Sequence, residues 1–216
     1  MMSRKRVAIL ISGRGSNMAA LIEAAKDPAY PAEIVLVLSN RPDAAGIATA
    51  HDAGIATAVV DHKQFKEREA FEHALQKVLE ERRIDIVCLA GFMRLLTPWL
   101  ISRWDRRMIN IHPALLPAFK GLDTHARVLA AGVTITGCTV HFVRNEMDEG
   151  PIVAQAAVPV LKGDTAESLA ARVLEAEHAL YPNALRLVAS STVRVDGERI
   201  IGPDAPNQSP LFSPPL

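Results

Sequence analysis

Val7-Ala8-Ile9-Leu10-Ile11-Ser12 is followed at once by Gly13-Arg14-Gly15 and then by the stretch Ser16–Lys26. A short aliphatic run, a glycine turn and a longer stretch with helical spacing form one strand–turn–helix unit. The alternation continues: Ile34–Ser39, Ala44–Ala53, Ala56–Val60, Lys66–Arg82 and Ile86–Leu89 read in turn as strand, helix, strand, helix and strand. Strands separated by helices mark βαβ units, because a parallel return needs a crossover. This stretch therefore decides for an α/β fold. In 66–82, Phe71, Leu75, Val78 and Leu79 fall on one face, with Glu67, Glu72, Lys77 and Glu80 elsewhere, so the apolar stripe is assigned to the sheet.

After Met108–His112 the rhythm changes. A proline-rich loop, Pro113–Gly121, leads to a helix at Thr124–Ala131 and then to two long strand-like stretches, Thr134–Phe142 and Ile152–Val160. These are expected to join the sheet late, antiparallel to some neighbours. Asp164 with Glu167 resembles a capping box and opens a helix continuing to about Val188, with Pro182 expected to kink it. Thr192–Ile201 holds Asp196-Gly197, a two-residue hairpin signal. The proline-rich stretch from Pro203 to Leu216 is expected to be loose. The expected architecture is a Rossmann-like, mostly parallel sheet flanked by helices with late antiparallel strands. Residues 1–190 form a single domain and 191–216 a hairpin and tail, without repeats or an interdomain linker.

Composition narrows the functional classes. The chain has 216 residues, 49% of them hydrophobic, enough for a substantial core. Lys+Arg and Asp+Glu are both 24, so no basic field exists to hold a nucleic acid backbone. Cys88 and Cys138 are too few for a disulfide framework and suit a reducing compartment. The basic N-terminus is followed only by the short run Val7–Ile11, too short for a signal-peptide core, and no segment approaches the roughly 18 apolar residues of a membrane span. The expectation is a cytoplasmic protein acting on small molecules, with neither nucleic acid nor membrane as partner.

Three groups of residues could carry chemistry. Ser12-Gly13-Arg14-Gly15-Ser16-Asn17 stands between a strand and a helix, where backbone amides and the positive helix end favour an anion. Met18 occupies the place of the third glycine of a dinucleotide fingerprint, and the Gly-Lys-Ser/Thr ending of a P-loop is missing, so a monophosphate fits better. An ordinary tight turn with Ser16 as N-cap is the competing reading. Asn110-Ile111-His112-Pro113 ends an apolar strand. Side chains two apart share a strand face, so an amide donor and an imidazole project together where open α/β sheets gather ligands. That pairing suits acyl transfer, although a histidine ending a strand can also be structural. Asp148, in the polar loop Arg144–Pro151, could orient His112 and raise its pKa, or simply belong to a solvated acidic turn. Cys138 and His141, three apart on a strand, face opposite sides, so no metal site is assigned.

Together, Ile11–Asn17, Leu89-Ala90-Gly91-Phe92-Met93-Arg94, Asn110–Pro117 and Met147-Asp148-Glu149-Gly150-Pro151 closely resemble the phosphoribosylglycinamide formyltransferase family, with similarity over roughly 6–190. The resemblance implies formyl transfer from 10-formyltetrahydrofolate, a co-substrate, to the amine of glycinamide ribonucleotide, without a metal. Asn110 and His112 match the oxyanion stabiliser and the proton-transfer residue, and Asp148 the carboxylate that tunes the histidine. Gly15, Ser16, Asn17 and Glu177 match ribonucleotide contacts. Arg68, Met93, Arg94, Leu95, Leu96, Asn110, Arg144, Asn145, Glu146, Met147 and Asp148 match folate contacts. Leu174 departs from the family, which often carries glutamine there. Formyltetrahydrofolate hydrolase is the alternative within the same chemistry, but such enzymes usually carry an extra N-terminal domain, whereas Val7 opens the fold here. A non-catalytic folate or phosphate-ligand module is the alternative from another class. Monomer and homodimer both remain open.

Overall fold

The computed structural model describes residues 4–203 and Ser213. Seven strands form one sheet: β1 (Lys5–Ile11), β2 (Ala32–Ser39), β3 (Thr57–Val59), β4 (Ile86–Leu89), β5 (Met108–His112), β6 (Ile135–Phe142) and β7 (Ile152–Pro159). Among the described residues, the α-helices that flank it are α1 (Ser16–Ala24), α2 (Gly46–Asp52), α3 (Arg68–Glu81), α4 (Pro98–Arg103), α5 (Thr124–Ala131) and α6 (Ala166–Ala189). The spatial order is β3-β2-β1-β4-β5-β6-β7. The first five strands pair in parallel, whereas β5–β6 and β6–β7 are antiparallel, as the change of rhythm after His112 implied. A separate antiparallel pair, β8 (Arg194–Asp196) and β9 (Arg199–Ile201), flanks Gly197. Most of the proline-rich stretch 203–216 lies outside the described residues.

Alternation along β1 separates two cores. Val7, Ile9 and Ile11 pack with Met18 and Leu21 of α1 and with Leu169, Tyr181 and Leu185 of α6. Ala8 and Leu10 face the other way, onto Phe71, Leu75 and Leu79 of α3 and onto Leu100 and Trp104 near α4. Successive Cβ atoms of a strand point to opposite faces, and here each face meets helices. The chain leaves β1 toward β2 and β3, then returns to build β4 and β5 on the opposite side. The β1/β4 boundary is therefore a topological switch point, where the loops after the two strands diverge and leave a crevice.

Several local expectations need correction. Helix α4 was not read from the sequence, although Thr97-Pro98 is a fitting start: Pro98 occupies the first turn, where a missing N–H costs nothing. Glu72 is fully buried rather than on the outer face of α3, and accepts hydrogen bonds from the Thr97 amide and hydroxyl. The N-cap of α6 is Thr165, one residue after Asp164, and it exchanges capping hydrogen bonds with Ser168 rather than Glu167. The Asp164 carboxylate is engaged by Arg172 and the Leu161 amide, which leaves the cap to the next residue. Gly15, not Ser16, caps α1, with φ of 75°, a conformation glycine adopts without a Cβ penalty. Helix α6 extends past Pro182 to Ala189, in line with the expected continuation to about Val188, and the Pro182 carbonyl accepts from the Tyr30 hydroxyl at 2.6 Å.

Tyr181 joins α6 to the strands that end at the crevice. Its wholly buried hydroxyl lies 2.9 Å from the Leu89 carbonyl and 3.1 Å from the Ile109 carbonyl, sharing one proton between β4 and β5. Tyr181→Phe keeps the packing and removes that donor, so it should cost about 1–3 kcal/mol of unfolding free energy, measured in urea. An unchanged midpoint would show that the hydroxyl contributes nothing.

Candidate active site

β5 delivers Asn110 and His112 to one face, and β6 runs antiparallel beside it so that Asn110 stands directly opposite His141. Asn110 Nδ2 lies 3.2 Å from His141 Nε2. His141 Nδ1 lies 3.0 Å from the Phe142 carbonyl, which can only accept, so Nδ1 carries a hydrogen and Nε2 is the ring nitrogen placed to accept from Asn110. This fixes the amide's orientation and leaves its second N–H free. His112 is buried, with Nε2 2.9 Å from the Phe119 carbonyl and Nδ1 3.4 Å from Asp148 Oδ2. The other carboxylate oxygen of Asp148 lies 3.6 Å from His141 Nε2. The Gly121 amide donates to Asp148 Oδ2 at 2.9 Å. Asp148 itself sits at φ of 58°, a left-handed conformation that Asp tolerates better than most residues.

Both ring nitrogens of His112 thus face acceptors, a setting that suits imidazolium. Burial acts against it. Desolvation pushes the His112 pKa down, His141 adds to that, and the Phe119 carbonyl and Asp148 carboxylate only partly offset it, so the net shift lies below the usual 6.5. The expectation that Asp148 raises this pKa holds for its own contribution and fails for the sum. At neutral pH the resting imidazole is neutral. Burial also pushes Asp148 up, but the neighbouring His141 ring, the hydrogen bond from the Gly121 amide and the His112 ring outweigh it, and Asp148 titrates below the ordinary aspartate value.

Three neighbouring cavities with lining residues in common lie around this group. The largest, about 480 Å³, is lined by Met93, Arg94, Leu95, Leu96, Asn110, His141 and the 144–148 loop, among others. Its rim leaves Met93, Leu95, Leu122 and Met147 more than half exposed, an unpartnered apolar mouth. A middle cavity of about 420 Å³ holds Asn110, His112, Gly121 and His125. The third, about 280 Å³, is formed by Ser12 to Asn17 with Arg41, at the N-terminus of α1. Met93 borders all three.

Residues 5–185 match the family model described as formyl transferase. The chain is 40% identical to phosphoribosylglycinamide formyltransferase of Escherichia coli (strain K12) over 201 residues, covering 90% of this chain and 95% of that protein. The chain belongs to the phosphoribosylglycinamide formyltransferase family. It is also 54% identical over 192 residues to the Bos taurus trifunctional purine biosynthetic protein adenosine-3, covering 89% of this chain and only 19% of that longer protein. A solved structure of glycinamide ribonucleotide transformylase 1 from Symbiobacterium toebii superposes with a TM-score of 0.92 at 42% identity, covering 94% of this chain and 96% of that one.

In this formyltransferase the residues matched to folate contacts line the largest cavity, with one exception. Arg68 stands exposed at the first position of α3 and borders none of the three cavities. Gly15, Ser16 and Asn17 line the small cavity. Glu177 lies behind it, buried, accepting from Asn17 Nδ2 at 2.7 Å, with burial pushing its pKa up against that hydrogen bond. Asn17 Oδ1 is buried without a partner, an acceptor left open beside the cavity. Leu174, one turn before Glu177, is half-buried and lines no cavity among the described pockets. His141 was set aside with the metal reading, yet it bridges Asn110 and Asp148; its place opposite Asn110 is the signal that the β5–β6 pairing supplies. The Phe119 carbonyl could not be found from side-chain types.

The His112 shift gives a signed prediction. Its folded pKa lies below the unfolded 6.5, so the unfolded chain takes the proton first, and stability is lost as pH falls from 6.5 toward the folded value. NMR titration should place the His112 midpoint under 6.5, and Asp148→Asn should lower it further, because the neighbouring negative charge disappears. A midpoint that rises in Asp148→Asn would contradict the assigned role of the carboxylate.

Proposed function

We propose that this enzyme transfers a formyl group from 10-formyltetrahydrofolate to the amine of glycinamide ribonucleotide in purine biosynthesis, giving formylglycinamide ribonucleotide and tetrahydrofolate. The observation that carries the reading is that Asn110 and His112 line the middle cavity, which shares lining residues with the apolar cavity on one side and with the anion-suited cavity on the other. A flat aromatic donor suits the apolar rim of the first, with Arg94 and the 144–148 loop available for its polar groups. A phosphate suits the third, where Gly15 opens α1, the helix dipole is positive, and Arg14 and Arg41 stand at the mouth.

In this reading the neutral amine attacks the formyl carbon, forming a C–N bond and a tetrahedral centre. The free N–H of Asn110 donates to the oxygen as it gains negative charge. His112 starts neutral, takes the proton released by the new ammonium, and returns it to the folate nitrogen as the old C–N bond breaks. Its Nε2 exchanges the Phe119 carbonyl for substrate, while Asp148 stabilises the transient imidazolium. Glu177 and Asn17 hold the ribonucleotide side. The buried, unpaired Cys88 and Cys138 accord with a cytoplasmic location.

Donor absorbance, followed with and without glycinamide ribonucleotide, tests the function. Amine-dependent consumption is expected. Equal loss without amine would mean a hydrolase, and binding of both ligands without turnover a non-catalytic module. His112→Ala should lower kcat by about 100-fold or more, and Asn110→Ala by a similar factor, through lost proton transfer and lost oxyanion donation. A near-normal rate in either variant would remove that residue from the mechanism.

A further inference from the structure

Residues 92–96 form one wall of the largest cavity, and the segment 92–97 belongs to no helix or strand. Such a wall holds its shape only if its backbone groups are tied to something rigid. Two buried side chains tie it, one at each end. At the near end Ser12 accepts from the Met93 amide at 2.8 Å and donates to Asn40 Oδ1 at 2.6 Å, and both Ser12 and Asn40 are buried. At the far end Glu72 accepts from the Thr97 amide at 2.7 Å and, through its other oxygen, from the Thr97 hydroxyl.

The two anchors differ in what else they touch. Glu72 lines none of the three cavities, and both of its carboxylate oxygens are occupied by Thr97. A carboxylate buried this deeply is costly unless its oxygens are satisfied, and here satisfying them and fixing the wall are the same contacts. Ser12 lines the small anion-suited cavity while its hydroxyl grips the wall of the large one. Met93, its partner, borders both.

We propose that Glu72 and Ser12 are positioning residues for the formyl donor: Glu72 sets the donor wall alone, and Ser12 links that wall to the phosphate subsite. The inference rests on the proposed function, which assigns the two cavities. Glu72→Ala should raise KM for 10-formyltetrahydrofolate about tenfold, as for a lost buried charged hydrogen bond, and leave KM for glycinamide ribonucleotide within about twofold. Glu72→Gln should restore most of the loss. Its carbonyl can accept from the Thr97 amide while its NH2 donates to the Thr97 hydroxyl. Ser12→Ala should raise both KM values.

The test is steady-state kinetics with each substrate varied in turn, alongside thermal melting of every variant. A donor-selective rise in Glu72→Ala, rescued by Glu72→Gln, supports the proposal; an unchanged donor KM, an equal rise for both substrates, or a Gln variant as impaired as Ala overturns it. If Glu72→Ala does not fold, Thr97→Val removes the hydroxyl arm from the other side, and a donor-selective rise or its absence decides the same question. Turnover by the wild-type protein with unchanged variant constants overturns this inference alone. No wild-type turnover overturns the functional reading and this inference with it.

Discussion

A parallel strand covered on both faces can offer polar groups to a ligand only where it ends, and that constraint governs this molecule. From Val7 onward β1, all of β4 and the first half of β5 are buried against helices or neighbouring strands, and their side chains are apolar. Ser12, Asn110 and His112 mark the change to polar chemistry at the strand ends. Because the chain reverses its direction of growth at β1, the loops after β1 and β4 part and leave space there. The small cavity, the apolar cavity and the Asn110–His112 pair occupy that space. The antiparallel β6 then brings His141 opposite Asn110 and leads into the loop carrying Asp148, so a single reversal of strand direction completes the site.

Much of this was legible in the sequence, for identifiable reasons. The alternation from Val7 to Leu89 survives because each apolar run is long enough to show its period and is bounded by Gly, Asp or charged residues. The pairing of Asn110 with His112 follows from strand geometry alone. What was not legible depends on contacts between distant segments. Glu72 looks like a solvent-facing residue until α4 arrives and supplies Thr97 as its partner. His141 was weighed only for a metal site and set aside, and its place beside Asn110 emerges only from the pairing of β5 with β6. The cap of α6 moved from Asp164 to Thr165 because Arg172, eight residues on, takes the carboxylate. In each case a polar side chain was assigned by its neighbours in sequence and is used by its neighbours in space.

The electrostatics of the central group also follow from burial more than from pairing. One carboxylate between two imidazoles would, in water, favour protonating at least one ring. Here desolvation of His112 outweighs Asp148, while Asp148 stays ionised because it accepts from the Gly121 amide and lies against both rings. The result is a neutral base beside a fixed negative charge. A neutral imidazole can accept the proton that an attacking amine must lose, which an imidazolium cannot. Once the proton has moved, the waiting carboxylate stabilises the product of that transfer without reorganising.

The same arrangement accounts for the direction of the proton. An imidazolium formed in a site that disfavours it is a stronger acid than free histidine, so it gives the proton up readily to a departing amine nitrogen. In the proposed transfer, burial therefore assists the second half and Asp148 the first. Were Asp148 to dominate, His112 would rest protonated and could not act as base. Were burial unopposed, the imidazolium would form too rarely to serve as acid. In the proposed mechanism the shared carboxylate, 3.4 Å from one ring and 3.6 Å from the other, opposes the effect of burial on His112.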